Sequence, residues 1–227
     1  AWRMRQKPDV DENVAPAPPP PPKENPEALL KVEPLAVEVG LGLIKLVEGA
    51  QNSPLLRRIA GIRKQLATDL GYLLPPVRVM DNLSLKVREY IISVKGVEVA
   101  RFELQQGCEL AISTSRNAPP IPGVATKEPA FGIPAVWIAS EKTELARSSG
   151  YTVVDGVSVL GTHLSETIRK HAHELFSRAD TKKLLDRVAE ENPKAVEDLV
   201  PKLLPLAVVQ RVLQNLLRER VSIRDAN

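Results

Sequence analysis

His173-Glu174-Leu175-Phe176-Ser177 opens like the zinc-hydrolase pattern HExxH, in which two imidazoles one helical turn apart hold a metal and the glutamate activates water. Ser177 stands where the second imidazole must be, so the metal reading fails at its own spacing. His163, His171 and His173 form no cluster, because residues 171 and 173 of one helix project to nearly opposite sides, and all three read as surface histidines. A triad of Ser158, His163 and some aspartate can be drawn on paper. No GxSxG elbow or oxyanion loop accompanies it, and a serine and a histidine on one helix at that spacing are poorly aimed at each other. Gly40-Leu41-Gly42 lacks the third glycine of the dinucleotide motif, and no GxxxxGK[ST] occurs. Cys108, the sole cysteine, has no activating neighbour and no internal disulfide partner, which fits a reducing compartment. The expectation is a protein that is not an enzyme and holds no metal or cofactor.

Glu128-Pro129-Ala130-Phe131-Gly132-Ile133-Pro134 is a candidate of another kind. Two prolines and a glycine hold a phenylalanine in a stiff loop at low ordering cost, and rigid loop aromatics are good anchors for partner proteins. On the residues alone, the favoured reading is that Phe131 plugs the core beneath. Thr162, between Gly161 and His163, is either an ordinary helix-surface hydroxyl or a place where a partner approaches closely. Arg57, Arg58 and Lys64 read as a solvated helix face, with contact to an adjacent subunit as the alternative.

The 227 residues suffice for one large domain or two to three small ones, with a core that needs no disulfide. The formal charge of +3 is mild, the basic residues are interspersed with acidic ones, and aromatics make up only 4% of the chain. A nucleic-acid binder needs a basic stripe with exposed rings to stack on bases, so no nucleic-acid partner is expected. No apolar run approaches the ~20 residues that span a bilayer, and the N-terminus has no signal-peptide core, so the chain as given reads as soluble.

These candidates must be positioned by a helix over the stretch from Ser53 to Gly71, where Ser53 caps, Pro54 fits the first position, and Leu55, Ile59, Ile62, Leu66 and Leu70 line one face. Pro75-Pro76 then forces an extended entry into a strand at Val77 to Met80. Leu35 to Val39 reads as a strand and Leu43 to Val47 as a short helix. Tyr90 to Val94, Lys95-Gly96 and Val97 to Val99 give a hairpin signal whose alternation slips at Ala100-Arg101, the expected place of a bulge. Brief strands at Leu110 to Ile112 and Ala135 to Ile138 flank a rigid loop at Asn117 to Gly123. A short helix at Thr143 to Ser148 and a strand at Tyr151 to Val154 follow. Asp155 caps one long helix with an apolar stripe of Val157, Leu160, Leu164, Ile168, Ala172 and Leu175. Beyond Phe176 the pattern is helical, with starts at Asp180, Asn192-Pro193 and Pro205, the last carrying Leu206, Val209, Val212, Leu213, Leu216 and Leu217. Residues 1–33 read as a flexible Pro-rich linker, its run from Ala15 to Pro22 a semi-rigid spacer. Trp2 beside Arg3, Arg5 and Lys7 suits either a disordered tail or the cytoplasmic exit of a membrane helix.

The run PPVRVMDNLSL after IRKQLATDLGYLL resembles the cytoplasmic domain of the FlhA family, the flagellar type III export-gate proteins. Collinear agreement at Pro34 to Val47, Pro129 to Ile138, Tyr151 to Phe176 and Glu197 to Asp225 extends the resemblance over nearly everything from Pro34 onward. It implies an α+β, multi-domain cytoplasmic fragment. A discontinuous α/β first domain would comprise 34–106 plus 156–175, a small inserted α+β second domain 107–155, and an incomplete all-α third domain 176–227. In the family a membrane domain precedes the linker and a further domain follows. The implied function is a non-enzymatic docking platform at the cytoplasmic face of the bacterial inner membrane. It receives flagellar export chaperones with their cargo, helps order secretion, contacts other export-apparatus proteins and self-associates into a ring in the full-length protein. The homologous gate of a virulence injectisome is the alternative. Matching by motif, the resemblance assigns chaperone binding to Glu128, Phe131 and Thr162. The acidic position is Glu where well-studied members carry Asp, which keeps the charge and lengthens the side chain.

Overall fold

The computed structural model describes residues 32–48, 53–113 and 118–225. The expected linker up to residue 31 and Asn117 of the expected rigid loop lie outside the described residues. Strands β1 (Leu35–Val39) and β2 (Arg78–Asp81) run parallel with Val37 opposite Val79. A parallel neighbour requires a crossover, and the chain makes it through a 3-10 turn at Leu41–Leu46 and helix α1 (Pro54–Leu70). β3 (Glu89–Val94) pairs antiparallel with the other side of β1, and β4 (Val97–Glu103) completes the order β2-β1-β3-β4.

Helix α1 forms as its residues dictate. Ser53 is fully buried; its Oγ accepts from the Leu56 N–H at 3.3 Å and donates to the Leu46 carbonyl at 2.5 Å. Leu55, Ile59, Ile62, Leu66 and Leu70 are its buried face, and Gly71 ends it at φ 93°. Gly71 has a second reason to lack a side chain: a Cβ there would stand 2.2 Å from the Arg224 nitrogen, where the Ile223 N–H donates to the Leu70 carbonyl at 3.0 Å. In the β3–β4 hairpin, Lys95 and Gly96 take φ of 51° and 78°, as a two-residue turn requires. The bulge lies one residue earlier than expected, at Val99, since Ile92 faces Ala100 while Ser93 faces Glu98. This placement turns Ala100 and Phe102 to the face of Ile92 and Tyr90. It also sets Glu98 and Arg101 on the opposite face, joined by two hydrogen bonds of 2.8 Å.

A second, wholly antiparallel sheet has the order β6-β7-β5-β8, from β5 (Cys108–Ser113), β6 (Val124–Lys127), β7 (Pro134–Ala139) and β8 (Tyr151–Val154). Strand β6 had no sequence signal, being short with an exposed Val124. Helix α2 (Thr143–Ser148) buries Ala146 against Ala111 and Ile138. Helix α3 (Gly156–Lys170) starts at Asp155, whose carboxylate accepts from the Ser158 N–H at 2.8 Å.

The long helix expected through Leu175 is instead two. His171 leaves helical geometry at φ −103° and ψ 13°, and α4 (Ala172–Leu175) follows as a separate turn. The buried face of α3 is broader than the expected stripe, adding Val159, Gly161, His163 and Thr167, while Val157 is only half-buried. Helix α5 (Arg178–Glu191) starts one turn ahead of the expected cap. Ser177 is the N-cap, and Asp180, three residues on, returns a bond to the Ser177 N–H at 3.0 Å. Asn192 caps α6 (Pro193–Glu197), and α7 (Leu206–Arg218) buries Val209, Leu213 and Leu217. Val212 and Leu216, expected in the same stripe, are exposed, because α7 meets α4 and α5 along one edge only.

One hydrophobic core joins Leu35 and Tyr90 of the first sheet, Leu110 and Trp137 of the second, Leu160 of α3 and Leu217 of α7. Phe102 and Trp137 link the sheets with ring centroids 6.3 Å apart, and Tyr72 meets Phe176 edge-on at 5.0 Å while its hydroxyl donates to the Ala172 carbonyl at 2.9 Å.

Leu66 is fully buried, so Leu66→Ala should lower unfolding free energy by about 2–5 kcal/mol in urea titrations followed by circular dichroism. Two glycines of the same region should respond with opposite sign. Gly71→Ala should lower the melting temperature through its positive φ and the Arg224 backbone, whereas Gly61→Ala, whose added Cβ meets nothing within 4 Å, should raise stability by ~0.5–1 kcal/mol.

Candidate functional site

The tip of the β6–β7 hairpin is built around a carboxylate. Lys127 pairs with Pro134, and the Glu128 N–H donates to the Ile133 carbonyl at 2.8 Å. Glu128 itself is 3% exposed. One of its carboxylate oxygens accepts from the Ala130 N–H at 2.9 Å and the other from the Phe131 N–H at 2.8 Å. Charge-assisted bonds to two successive amides fold the loop back on itself and hold the backbone of Phe131 in place. Phe131 is 61% exposed, so it is not a core plug.

Thr162 reaches the same place from α3. At the neighbouring Gly161, a Cβ would stand 3.0 Å from Arg58 Cγ and Nε and 3.3 Å from Ile62 Cδ1. The close approach for which sequence suggested a partner is thus made by the protein's own α1. Between α1, α3 and the hairpin tip lies a shallow dimple of about 440 Å³, lined by Phe131, Thr162, Ile62 and Gln65 with charged groups at its margin. The structure brings Phe131 and Thr162 together. Glu128 is not on the dimple wall; it sits behind the loop.

A buried polar pair underlies the site. Tyr90 Oη lies 2.9 Å from His163 Nδ1, with Tyr90 fully buried and His163 7% exposed. The expectation of a surface histidine is therefore corrected. Residue 163 falls on the sheet-facing side of α3, and its ring is satisfied by a phenol that no sequence spacing connects to it. Burial pushes the Tyr90 phenol well above its usual range, with the Glu128 charge adding to the rise. Burial pushes His163 down, and Glu128 opposes this only in part. Both groups are thus held neutral, the phenol keeping its proton.

The other sequence candidates are occupied in local structure. Ser158 Oγ donates to Asp155 at 3.1 Å as part of the α3 cap. His171 Nδ1 and His173 Nε2 lie 2.7 and 3.7 Å from the same Glu174 oxygen. The break at His171 brings together two rings that an unbroken helix would send apart, correcting the expected opposition. Among the described residues, no three His, Cys, Asp or Glu side chains are arranged to hold a metal, and no helix is long and apolar enough to cross a membrane. A larger groove of about 730 Å³ lies between α1 and α5, with Arg63, Lys183, Arg187 and Arg224 on its walls, and contains none of the three assigned residues. Sequence reasoning missed Tyr90 and Arg58 as parts of the site's surroundings. Neither carries a local signal, although a glycine inside an amphipathic helix, as at Gly161, marks a close helix approach.

The FHIPEP family model matches residues 2–227 of the chain. The flagellar biosynthesis protein FlhA of Yersinia enterocolitica is 44% identical over 230 residues, covering 99% of this chain and 33% of that protein. The chain spans about a third of the length of the curated relatives it matches. Among solved structures, the Chlamydia pneumoniae CdsV and CdsO protein complex shares the fold at a TM-score of 0.74 and 22% identity, over 87% of this chain and 62% of that one. Nonameric EPEC SctV-C does so at 0.61 and 19%, over 86% and 56%. A mixed fold common to these proteins, joined to a family match that runs nearly from one end of the sequence to the other, establishes that the chain belongs to the FHIPEP family.

Proposed function

We propose that this chain is a non-enzymatic docking platform of the flagellar type III export gate, receiving export chaperones with their cargo in the dimple that Phe131 and Thr162 share. The observation that carries the proposal is the 61% exposure of a phenylalanine held on a hairpin tip beside a hollow that Ile62 and Thr162 also line. Exposing such a ring to water is unfavourable, and a preordered aromatic at the edge of a hollow is what a protein partner can cover with little loss of entropy. Within this proposal the three assigned residues divide the work. Phe131 and Thr162 touch the partner, while Glu128 acts through Phe131 by holding its amide.

The flagellar gate is favoured over an injectisome gate by 44% identity to a flagellar FlhA, against 22% or less to the CdsV and SctV-C structures. In the proposed setting the platform lies at the cytoplasmic face of the bacterial inner membrane, and the segments 34–106 plus 156–175, 107–155 and 176–227 act as its three domains. The CdsO complex and the nonameric SctV-C assembly support contacts with other export-apparatus proteins and a ring in the full-length protein.

Phe131→Glu should weaken binding of purified flagellar chaperone–cargo pairs by at least ~30-fold in calorimetric titration, the loss of one interface hot spot, with the melting temperature unchanged. Equal affinity of the variant and the parent chain would refute the site. Glu128→Ala should speed hydrogen exchange at the Ala130 and Phe131 amides and weaken docking about tenfold. If docking fell while those amides stayed protected, Glu128 would be a contact residue instead of a positioning one.

A further inference from the structure

Three charged side chains line the dimple: Arg58, Glu166 and Arg169. Two of them are already neutralised within the protein. Arg169 pairs with Asp69, whose carboxyl it holds below the usual range, and Glu166 pairs with Arg220 at 2.7 Å. Arg58 is exposed and has no ion pair or hydrogen bond among the described residues. It is not loosely placed, however. Its stem crosses Gly161, with Cγ and Nε each 3.0 Å from where a Cβ would stand, so the side chain runs over α3 next to Thr162. The stem lies along α3, and the charge is left over.

We propose that Arg58 is a specificity-determining residue of the dimple, and that the partner segment seated there carries a carboxylate beside the apolar group that covers Phe131. This inference rests on the docking reading above and adds the chemistry of the occupant. A guanidinium offers a planar fork that matches a carboxylate at two points, so it loses less freedom per bond formed than a lysine would. Because Glu166 and Arg169 are spoken for, a partner meets one net positive charge at the dimple. A basic segment would leave that charge repelled, and a purely apolar one would leave it poorly solvated at the covered margin. Gly161 contributes by omission: a methyl group there would push Arg58 off its track while leaving its charge intact.

The test measures affinity of each flagellar export chaperone, purified with its own cargo, for the parent chain and for Arg58→Glu, Arg58→Lys and Phe131→Glu, at ~50 and ~300 mM salt. Arg58→Glu is expected to weaken binding about tenfold, Arg58→Lys about threefold, and the loss on raising salt should be smaller for Arg58→Glu than for the parent. Acidic residues flanking the apolar surface of the chaperone are then changed to Lys one at a time. One of these changes is expected to restore binding to Arg58→Glu while weakening binding to the parent, a coupling that a merely structural role would not produce. If Arg58→Glu binds like the parent while Phe131→Glu does not, the docking reading survives and the role of Arg58 is overturned. Loss of binding without rescue by any charge change overturns the pairing. Undiminished binding of Phe131→Glu overturns the docking reading itself. Circular dichroism melts of the Arg58 variants, which alter an exposed side chain, identify any loss due to unfolding.

Discussion

The contact between α1 and α3 at Gly161 is the constraint on which the site depends. Two helices far apart in sequence come close because one of them has only a hydrogen where the other lays Arg58 and Ile62. That approach makes the floor of the dimple, aims Thr162 into it, and fixes the stem of Arg58 at its margin. Phe131 and Thr162 meet on that hollow although about thirty residues separate them in sequence. A side chain at Gly161 would disturb all of these features together.

The hairpin tip shows a similar economy at a smaller scale. A loop bearing an exposed aromatic ring would ordinarily fluctuate, and ordering it on contact would weaken binding. Here the ordering is done in advance by Glu128, whose carboxylate is spent on the loop's own amides. The buried Tyr90–His163 pair lies under the same region, with both groups held neutral by burial and both influenced by the Glu128 charge. The visible surface of the site is a ring, a hydroxyl and a mixed hollow with Arg58, Glu166 and Arg169 on its walls, while the Glu128 carboxylate and the Tyr90–His163 pair are buried.

Much of the local structure was legible where its cause was local, although the Ser177 capping box is a local signal that the expected start at Asp180 overlooks. The cap at Ser53, the five-residue apolar stripe of α1, the Gly71 ending and the hairpin turn at Lys95-Gly96 all follow from side-chain chemistry within a few residues, and the structure repeats them. Other errors arose where a distant partner decided. His163 reads as a surface residue from its neighbours because nothing near it in sequence announces Tyr90. The bulge shifted to Val99 because facing Ile92 and Tyr90 across the strand, not the slip in alternation, sets which residues turn inward. Strand β6 carries no local signal because its residues become a strand only by pairing with β7.

By itself, the sequence determined that this chain is a mixed α+β protein with a proline-stiffened phenylalanine, since propensity, capping and turn chemistry act over a few residues. Only the tertiary structure decided that Phe131 faces water, that Glu128 faces inward, and that Thr162 and Arg58 share one hollow with that ring. The physical reason is that exposure and juxtaposition are properties of packed surfaces. They depend on which helix lies against which, and here on the missing side chain at Gly161 that lets them meet.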